Sequence, residues 1–237
     1  MTADTPPGVA LTWGVRPERR TGPRPSLTIE RIAQAGIAAA DRGGLAAVTM
    51  GAVAHDLGCT KMALYRYVDG KADLVAVMFD AAMGEPPRAG PRRGWHDALR
   101  GWTTALLSRY QAHPWAVDVP LGATTLTRNE TLWLEAALDA LDEVALSLED
   151  KLSLVLLLNG HVLFSAKVAR DATPAAGYDD PRLAAAIQRH DLPHVSEVLS
   201  GGHLGDRDRG LGDFEWGLEC ILAGVAAAAA PGRRRRR

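Results

Sequence analysis

The stretch that decides the fold runs from Thr49 to Lys71 and reads TMGAVAHDLGCTKMALYRYVDGK. We interpret it as two short helices joined by a tight turn. Thr49 is placed to cap the first helix, in which apolar residues recur at helical spacing, and Gly58 is placed to end it. Thr60 is then placed to cap the second helix. The pattern predicts a helix-turn-helix.

The second of these helices has two different faces. Leu64 and Val68 are four residues apart, so they share one face and predict contact with a small core. The other face carries Lys61, Met62, Tyr65 and Arg66. A cation, an aromatic hydroxyl and a guanidinium on so short a helix suit a reader of the DNA major groove that is docked on a partner helix. The alternative is a small helical subdomain in which the tyrosines pack and the cations are solvated.

Residues 28–82 resemble the DNA-binding domain of the TetR family of one-component regulators. The resemblance rests on the capping Thr49, on Leu57-Gly58 at the end of the first helix, and on the run from Leu64 to Val68. It also rests on Lys71, which opens the next helix ahead of Asp73, Leu74 and Val75. The resemblance implies a helix-turn-helix regulator that binds a palindromic operator as a homodimer. In that family the usual member is a repressor released by a small molecule.

The predicted DNA-binding residues divide by the part of the DNA that they contact. The four side chains of the exposed face are expected to meet the bases in the major groove, because their donors and apolar atoms match base edges. Three others are expected to hold phosphates, and Thr60 starts the reading helix. The complete predicted set is Thr49, Thr60, Lys61, Met62, Tyr65, Arg66, Tyr67 and Lys71.

Composition and charge favour a protein that touches DNA at one place. The chain of 237 residues is 47% hydrophobic and has 27 Lys and Arg against 28 Asp and Glu, which argues against indiscriminate coating of nucleic acid. Cys59 and Cys220 lie far apart, so neither a disulfide framework nor a zinc site is predicted. We expect a cytoplasmic protein without a membrane span, because no secretion signal or sufficiently long apolar run stands out.

Four segments are predicted along the chain. Residues 1–26 are rich in Pro, Gly, Thr and Arg, and are expected to form a basic flexible arm that either contacts DNA or is a solubilising tail. Residues 27–84 form the DNA-binding domain, and the run EPPRAGPRRG at 85–94 is the predicted boundary. Residues 95–230 form a ligand-binding and dimerisation domain. Residues 231–237 are an Arg-rich tail.

The predicted fold class is all-α: an N-terminal three-helix helix-turn-helix domain followed by a C-terminal helical domain. No alternating strand pattern occurs. Helices are expected at Trp95–Ala112, Pro114–Val119, Arg128–Leu146, Leu148–Arg170, Arg182–Leu199 and Asp213–Ala230. The long helix from Leu148 and the last helix are apolar on more than one side, which predicts burial by their own domain and by a second subunit.

A ligand pocket is predicted where polar residues interrupt the apolar helix from Leu148. Asn159, Gly160 and His161 are costly there unless each polar group finds a partner, so they either satisfy neighbouring helices or look into a cavity. Aromatic residues in the same domain favour the cavity, although large aromatics at helical spacing are usually core. The predicted ligand-binding set is Trp102, Trp115, Trp133, Asn159, His161 and Phe164.

Enzymatic and metal sites are not predicted. His190 and His194 are four residues apart, but Pro193 interrupts their helix and no third ligand follows. Phosphate-binding glycine loops, nucleophile elbows and paired carboxylates beside a histidine are absent from the sequence. We therefore expect a non-enzymatic regulator without a cofactor. The alternative is a small-molecule-binding or enzymatic helical protein without operator specificity.

Overall fold

The structure is a computed structural model, and it describes residues 5–15, 27–87, 94–120, 126–171, 180–201 and 209–230. Within these ranges every regular element is a helix, so the predicted all-α class is confirmed. The helices are α1 (Pro7–Thr12), α2 (Ile29–Ala47), α3 (Met50–Asp56), α4 (Lys61–Leu64), α5 (Lys71–Met83), α6 (Trp95–Ala112), a 3-10 helix (Pro114–Asp118), α7 (Arg128–Ala140), α8 (Leu148–Asp171), α9 (Pro181–Arg189), α10 (Pro193–Ser200) and α11 (Arg209–Ala229).

Helices α2 to α5 enclose the first part of the core. Thr28 caps α2 by accepting the Arg31 N–H, as its position at the start of an apolar stripe suggests. At Gly36 this helix passes so close to α5 that a Cβ there would lie 2.5 Å from the Met78 sulfur. The chain kinks at Gly43 and Gly44, whose backbone angles are not helical, and the helix resumes as far as Ala47.

Part of the predicted flexible arm is an ordered helix. Val9 of α1 is only 3% exposed, and the backbone N–H of Gly8 donates to the Asp73 carboxylate of α5 at 2.8 Å. A Cβ at Gly8 would lie 2.7 Å from the Asp73 Cα, so glycine permits this close approach. The indole N–H of Trp13 then donates to the Leu126 carbonyl just before α7. Residues 5–15 therefore form a strap across α5 and α7, while residues 16–26 lie outside the described residues.

Helices α6, α7, α8 and α11 enclose the second part of the core. The buried face of α8 lies against α6, α7 and α11, and the buried residues of α11 recur at Phe214, Leu218, Leu222 and Val225. This spacing of three and four residues is that of one helical face. The predicted bounds of α6 are confirmed. Helix α8 ends one residue later than predicted, and α11 begins four residues earlier and ends one residue earlier.

Two predicted helices are shorter than expected. Helix α7 ends at Ala140, and residues up to Leu146 form turns. The predicted helix Arg182–Leu199 is two helices, because Asp191 has φ of +52° and Pro193 begins the next helix. Within the described part of the chain no group of three or more His, Cys, Asp or Glu is arranged to hold a metal ion. The Arg-rich tail and most of residues 171–181 and 200–212 lie outside the described residues.

One side of α8 and α11 exposes large apolar side chains. On α8 the exposed fraction is 56% at Leu157, 70% at Phe164 and 50% at Val168, and on α11 it is 73% at Trp216. Several large apolar side chains exposed on two packed helices are typical of an interface. The sequence predicts that both helices are apolar on more than one side. In the structure one of these sides packs inside the chain and the other is left open.

Helix α8 also has the length and composition of a membrane span, although the sequence predicts none. Its most apolar 18-residue window has a mean hydropathy of 1.6, and 28% of that window is buried. Charged residues stand at both ends, at Glu149 and Asp150 and at Lys167 and Arg170. Packing on other helices along one face and an open apolar face along the other account for this composition.

Candidate DNA-binding surface and ligand cavity

The turn between α3 and α4 is held by a cap at each helix start. Thr49 Oγ1 accepts the Ala52 N–H at 3.1 Å, and Thr60 Oγ1 accepts the Ala63 N–H at 3.2 Å. Gly58 between the helices has φ of +64°, a left-handed conformation that residues with a Cβ rarely adopt. The local sequence signals of the helix-turn-helix are thus each realised in the backbone.

The two faces of α4 are separated as predicted. Leu64 is 0% exposed, whereas Met62 is 72% and Tyr65 is 45% exposed on the opposite side. Lys61 and Arg66 are exposed as well. The four side chains predicted to meet base edges are therefore all accessible, two on α4 and two in the turn that follows the buried Leu64.

The two residues predicted to hold phosphates after α4 also have partners inside the protein. The half-buried Tyr67 donates its O–H to the Leu27 carbonyl at 2.6 Å, which uses the only proton that the hydroxyl can donate to a phosphate. The exposed Lys71 donates from Nζ to the Leu45 carbonyl at 2.9 Å and keeps two further N–H groups. The structure therefore gives Tyr67 a structural role that competes with its predicted phosphate contact, whereas Lys71 is able to serve both.

A first polar junction joins α2 to the second group of helices. The Asp41 carboxylate accepts the indole N–H of Trp115 at 2.7 Å and lies 3.0 Å from His113 Nδ1. Trp115 is 3% exposed in the 3-10 helix and does not line the cavity described below. The structure therefore places Trp115, one of the predicted ligand-binding residues, outside that cavity, where its indole N–H fastens the two groups of helices together.

A second junction lies at the C-terminal end of α5. The backbone N–H of Asn129 donates to the Asp80 carboxylate at 2.6 Å, and the Asn129 side chain donates to the Asp80 carbonyl at 2.8 Å. The indole N–H of Trp133 donates to the Gly84 carbonyl at 2.9 Å. Helix α7 is thus fastened directly to the C-terminal end of α5.

A largely apolar cavity of about 500 Å³ lies between α5, α6, α7, α8 and the 3-10 helix. Such a volume suits a drug-sized ligand. Four of the six predicted ligand-binding residues line it: Trp102, Trp133, Asn159 and the mostly exposed Phe164. Its wall also includes Phe79 and Met83, which belong to α5 itself. A second cavity, of about 570 Å³, opens between α6 and α7 beside Glu85 and does not reach α5.

His161 lies at the contact between α8 and α11 and not in this cavity. Its Nε2 is 2.9 Å from the Phe214 carbonyl, and its ring stacks on the Phe214 ring with centroids 5.0 Å apart. A Cβ at Gly217 would lie 2.6 Å from the His161 ring, so glycine makes room for it. This corrects the expectation that His161 lines the pocket and matches the alternative of a satisfied histidine between helices.

Glu130 is a cavity residue that the sequence analysis does not single out. It is half-buried at the start of α7, and its pKa is raised from 4.5 to about 7. Burial is the largest cause and the charge of Asp80 adds to it, while hydrogen bonds from the Leu126 and Thr127 amides oppose both. The folded state thus binds more protons than the unfolded state between these pH values. The contribution of Glu130 to stability therefore falls as the pH rises from 4.5 to about 7.

Comparison with known proteins identifies the family. Residues 86–229 match the model of the tetracyclin repressor-like C-terminal domain. The chain is also 30% identical to the HTH-type transcriptional repressor DrrR1 of Streptomyces coeruleorubidus, over 94% of this chain and 86% of that protein. The chain belongs to the TetR family. It is a DNA-binding transcriptional regulator of the helix-turn-helix type.

Solved structures of other TetR-family proteins share the fold of this regulator. ActR of Streptomyces coelicolor in complex with actinorhodin is 25% identical, with a TM-score of 0.71 over 87% of this chain and 100% of that one. BioQ of Mycobacterium smegmatis, solved with its double-stranded DNA operator, is 18% identical, with a TM-score of 0.60 over 85% of this chain and 99% of that one. The second likeness is one of fold alone.

The sequence contains a local signal for Glu130, the cavity residue that the sequence analysis does not single out. Thr127 and Glu130 have the spacing of a capping box, in which a Glu three residues after the cap returns to the first backbone N–H groups. That spacing places Glu130 at the start of α7. It does not show that other helices close an apolar cavity around the same carboxylate, since the lining of the cavity comes from residues distant in sequence.

Proposed function

We propose that this TetR-family regulator represses a nearby operon in the cytoplasm and is released from its operator by a mostly apolar small molecule bound in the 500 Å³ cavity. The observation that carries the proposal is that Phe79 and Met83 of α5 form part of the cavity wall. The same helix begins at Lys71, directly after the reading helix α4. A ligand therefore touches the element that positions the DNA-binding surface.

The junctions around α5 supply the means of coupling. Helix α7 contributes Glu130, Thr131 and Trp133 to the cavity and is bonded through Asn129 to Asp80 of α5. A ligand that displaces α7 must either move α5 with it or break these buried bonds. Such a ligand shifts the regulator away from its operator-binding form only if it binds the other form more tightly.

We further propose that the operator is palindromic and is bound by a homodimer. The open apolar face of α8 and α11 is where a second subunit would pack, with Leu157, Phe164 and Trp216 covered in the contact. Two reading heads about 34 Å apart then meet successive major grooves on one side of the DNA. Among the solved relatives, ActR in complex with actinorhodin and BioQ with its operator support the binding of a small molecule and of operator DNA by this fold.

The proposed function is tested by measuring operator affinity with and without ligand, and ligand affinity with and without operator DNA. The operator is first located by electrophoretic shift on the DNA that flanks the gene, and a cavity ligand is found by thermal-shift screening. We expect the ligand to lower operator affinity about 5- to 150-fold, and operator DNA to lower ligand affinity by the same factor. Equal ligand affinity with and without operator would show that the cavity is not regulatory.

A matched pair of substitutions locates the effect in the cavity. Thr131 lines the cavity, whereas Thr104 is exposed on α6 outside it. Thr131→Trp should fill the cavity and give a repressor that stays on its operator at any ligand concentration. Thr104→Trp should respond to ligand as the unmodified protein does. A response retained in Thr131→Trp would place the effector elsewhere.

The division of DNA contacts between bases and phosphates gives a separate prediction. Lys71→Ala should weaken binding to all sequences and lower the salt slope by roughly one unit, because one phosphate contact releases about one counterion. Lys61→Ala should instead relax the preference at one base position, by roughly 1–3 kcal/mol. Binding titrations at several salt concentrations, on operator and on scrambled DNA, measure both effects. The same loss of specificity from both substitutions would contradict the division.

A further inference from the structure

Glu130 belongs to the wall of the cavity, and one oxygen of its carboxylate is buried. Its Oε2 is buried and has no hydrogen-bond partner within the described ranges of the chain. Around it the cavity is lined mainly by apolar and aromatic side chains, among them Trp102, Trp133 and Phe79. A buried polar atom without a partner costs free energy, and a ligand that supplies a donor recovers it.

Among the described residues, the charged groups near Glu130 form no ion pair with its carboxylate. Asp80 of α5 is close enough to raise the pKa of Glu130 by repulsion, after the larger effect of burial. On its own helix, Arg128 directs its guanidinium to Glu85 at 2.9 Å and to the Asn129 side chain at 3.0 Å. Neither of these two bonds goes to Glu130.

The remaining titratable groups of the cavity do not balance this charge. Tyr110 of α6 is neutral, and burial raises its pKa further. Lys167 of α8 is exposed and lines the cavity near its Phe164 side, where solvent screens it. A cation that enters the cavity therefore meets Glu130, the one carboxylate among the described residues that line it.

We propose that the cavity selects apolar molecules that carry a protonated amine, and that Glu130 is the residue that binds the amine. This inference rests on the proposed function of the cavity as the effector site. A charged donor on a carboxylate makes a stronger hydrogen bond than a neutral hydroxyl does, and it also compensates the buried charge. The aromatic walls favour a cation in the same place, because aromatic faces attract positive charge.

Three fluorescent probes that differ in one group test the proposal: aminomethylanthracene, hydroxymethylanthracene and anthracene carboxylate. Each is titrated into the full chain, and its dissociation constant is measured from anthracene fluorescence. We expect the amine to bind about 10- to 100-fold more tightly than the alcohol, and the carboxylate to bind most weakly. Glu130→Gln should remove the preference for the amine and leave the affinity of the alcohol unchanged.

A matched carboxylate provides the control. Glu135 lies on the same helix but is exposed and does not line the cavity. Glu135→Gln should therefore keep the full preference for the amine. Unchanged binding of the alcohol to Glu130→Gln shows that the variant retains its cavity, so that a lost preference is not a folding defect.

The possible failures of the two proposals are distinguishable. Equal affinities of the amine and the alcohol for the unmodified protein would overturn the role of Glu130 and leave the cavity as an effector site. Absence of binding by all three probes, in protein that still binds its operator, would overturn both. A preference for the amine that persists in Glu130→Gln would assign the cation to another residue and overturn the inference.

The unmodified protein offers a readout that does not depend on any variant. Because the pKa of Glu130 lies at about 7 in the free protein, an amine must displace a proton from it at lower pH. Affinity for the amine should therefore rise by about 10- to 30-fold between roughly pH 5.5 and pH 8, over which the amine itself stays protonated. Affinity for the alcohol should stay level. A level profile for the amine would contradict the inference.

Discussion

Ala227→Glu is expected to give a monomer that has lost specific operator binding. Ala227 is exposed near the end of α11, on the open side that also carries Trp216 and Gly224. A dimer formed through this side would bury the new carboxylate without a partner. The free energy that this costs is larger than the gain from packing at a position that alanine occupies. A lone reading head contacts one half-site, so operator affinity should fall towards the nonspecific level, by about 10³-fold or more.

Sedimentation velocity and operator titration measure the two parts of this result. Ala81→Glu serves as the control, because it makes the same change at an exposed alanine of α5, away from the open face of α8 and α11. That variant should remain dimeric. A monomeric Ala227→Glu protein that still binds the operator tightly would refute the requirement for two heads, and a dimeric one would place the interface elsewhere.

Leu64→Ala is expected to unfold the reading head while the second group of helices stays folded. Helix α4 has only four residues, so its position depends on packing and not on its own helical stability. Leu64 is fully buried between α4 and the remainder of the head, and its truncation should cost about 2–5 kcal/mol. A loss of this size is a large fraction of the stability of a small domain.

Met62 supplies the matched comparison within the same turn of helix. It is 72% exposed, so Met62→Ala should change the free energy of unfolding by less than about 0.5 kcal/mol and yet alter operator binding through the lost groove contact. Urea unfolding followed by circular dichroism separates the two variants. Similar destabilisation by both substitutions would mean that the two faces of α4 are not divided as the structure has them.

Features coded by neighbouring residues could be predicted from the sequence. Thr49 and Thr60 cap their helices, Gly58 takes the left-handed turn, and Leu64 faces the core, because each of these roles depends on only a few adjacent positions. The bounds of α6 were predicted for the same reason, with a proline-rich segment before the helix and a proline after it. Local chemistry therefore accounts for the reading head and for most helices.

Features that depend on distant partners could not be predicted. Trp115 and His161 looked like pocket residues, but Asp41 and the Phe214 carbonyl, 74 and 53 positions away in the chain, use their polar atoms. Helix α1 has six residues and no periodic pattern, and it is held by contacts to Asp73 and Leu126. Only the assembled structure brings such partners together.

Because residues 5–15 form a strap, the N-terminal segment should tolerate an insertion after the strap better than a truncation that removes the strap. Residues 16–26 lie between two packed parts of the chain. The strap ends at Val15, and the buried Leu27 begins the part that leads into α2. Lengthening a connection between two anchored points costs little, about 0.6 kcal/mol for each doubling of its length. An epitope inserted between positions 16 and 26 should therefore be accepted, whereas trimming the chain past Trp13 removes a hydrogen bond to each of the two groups of helices.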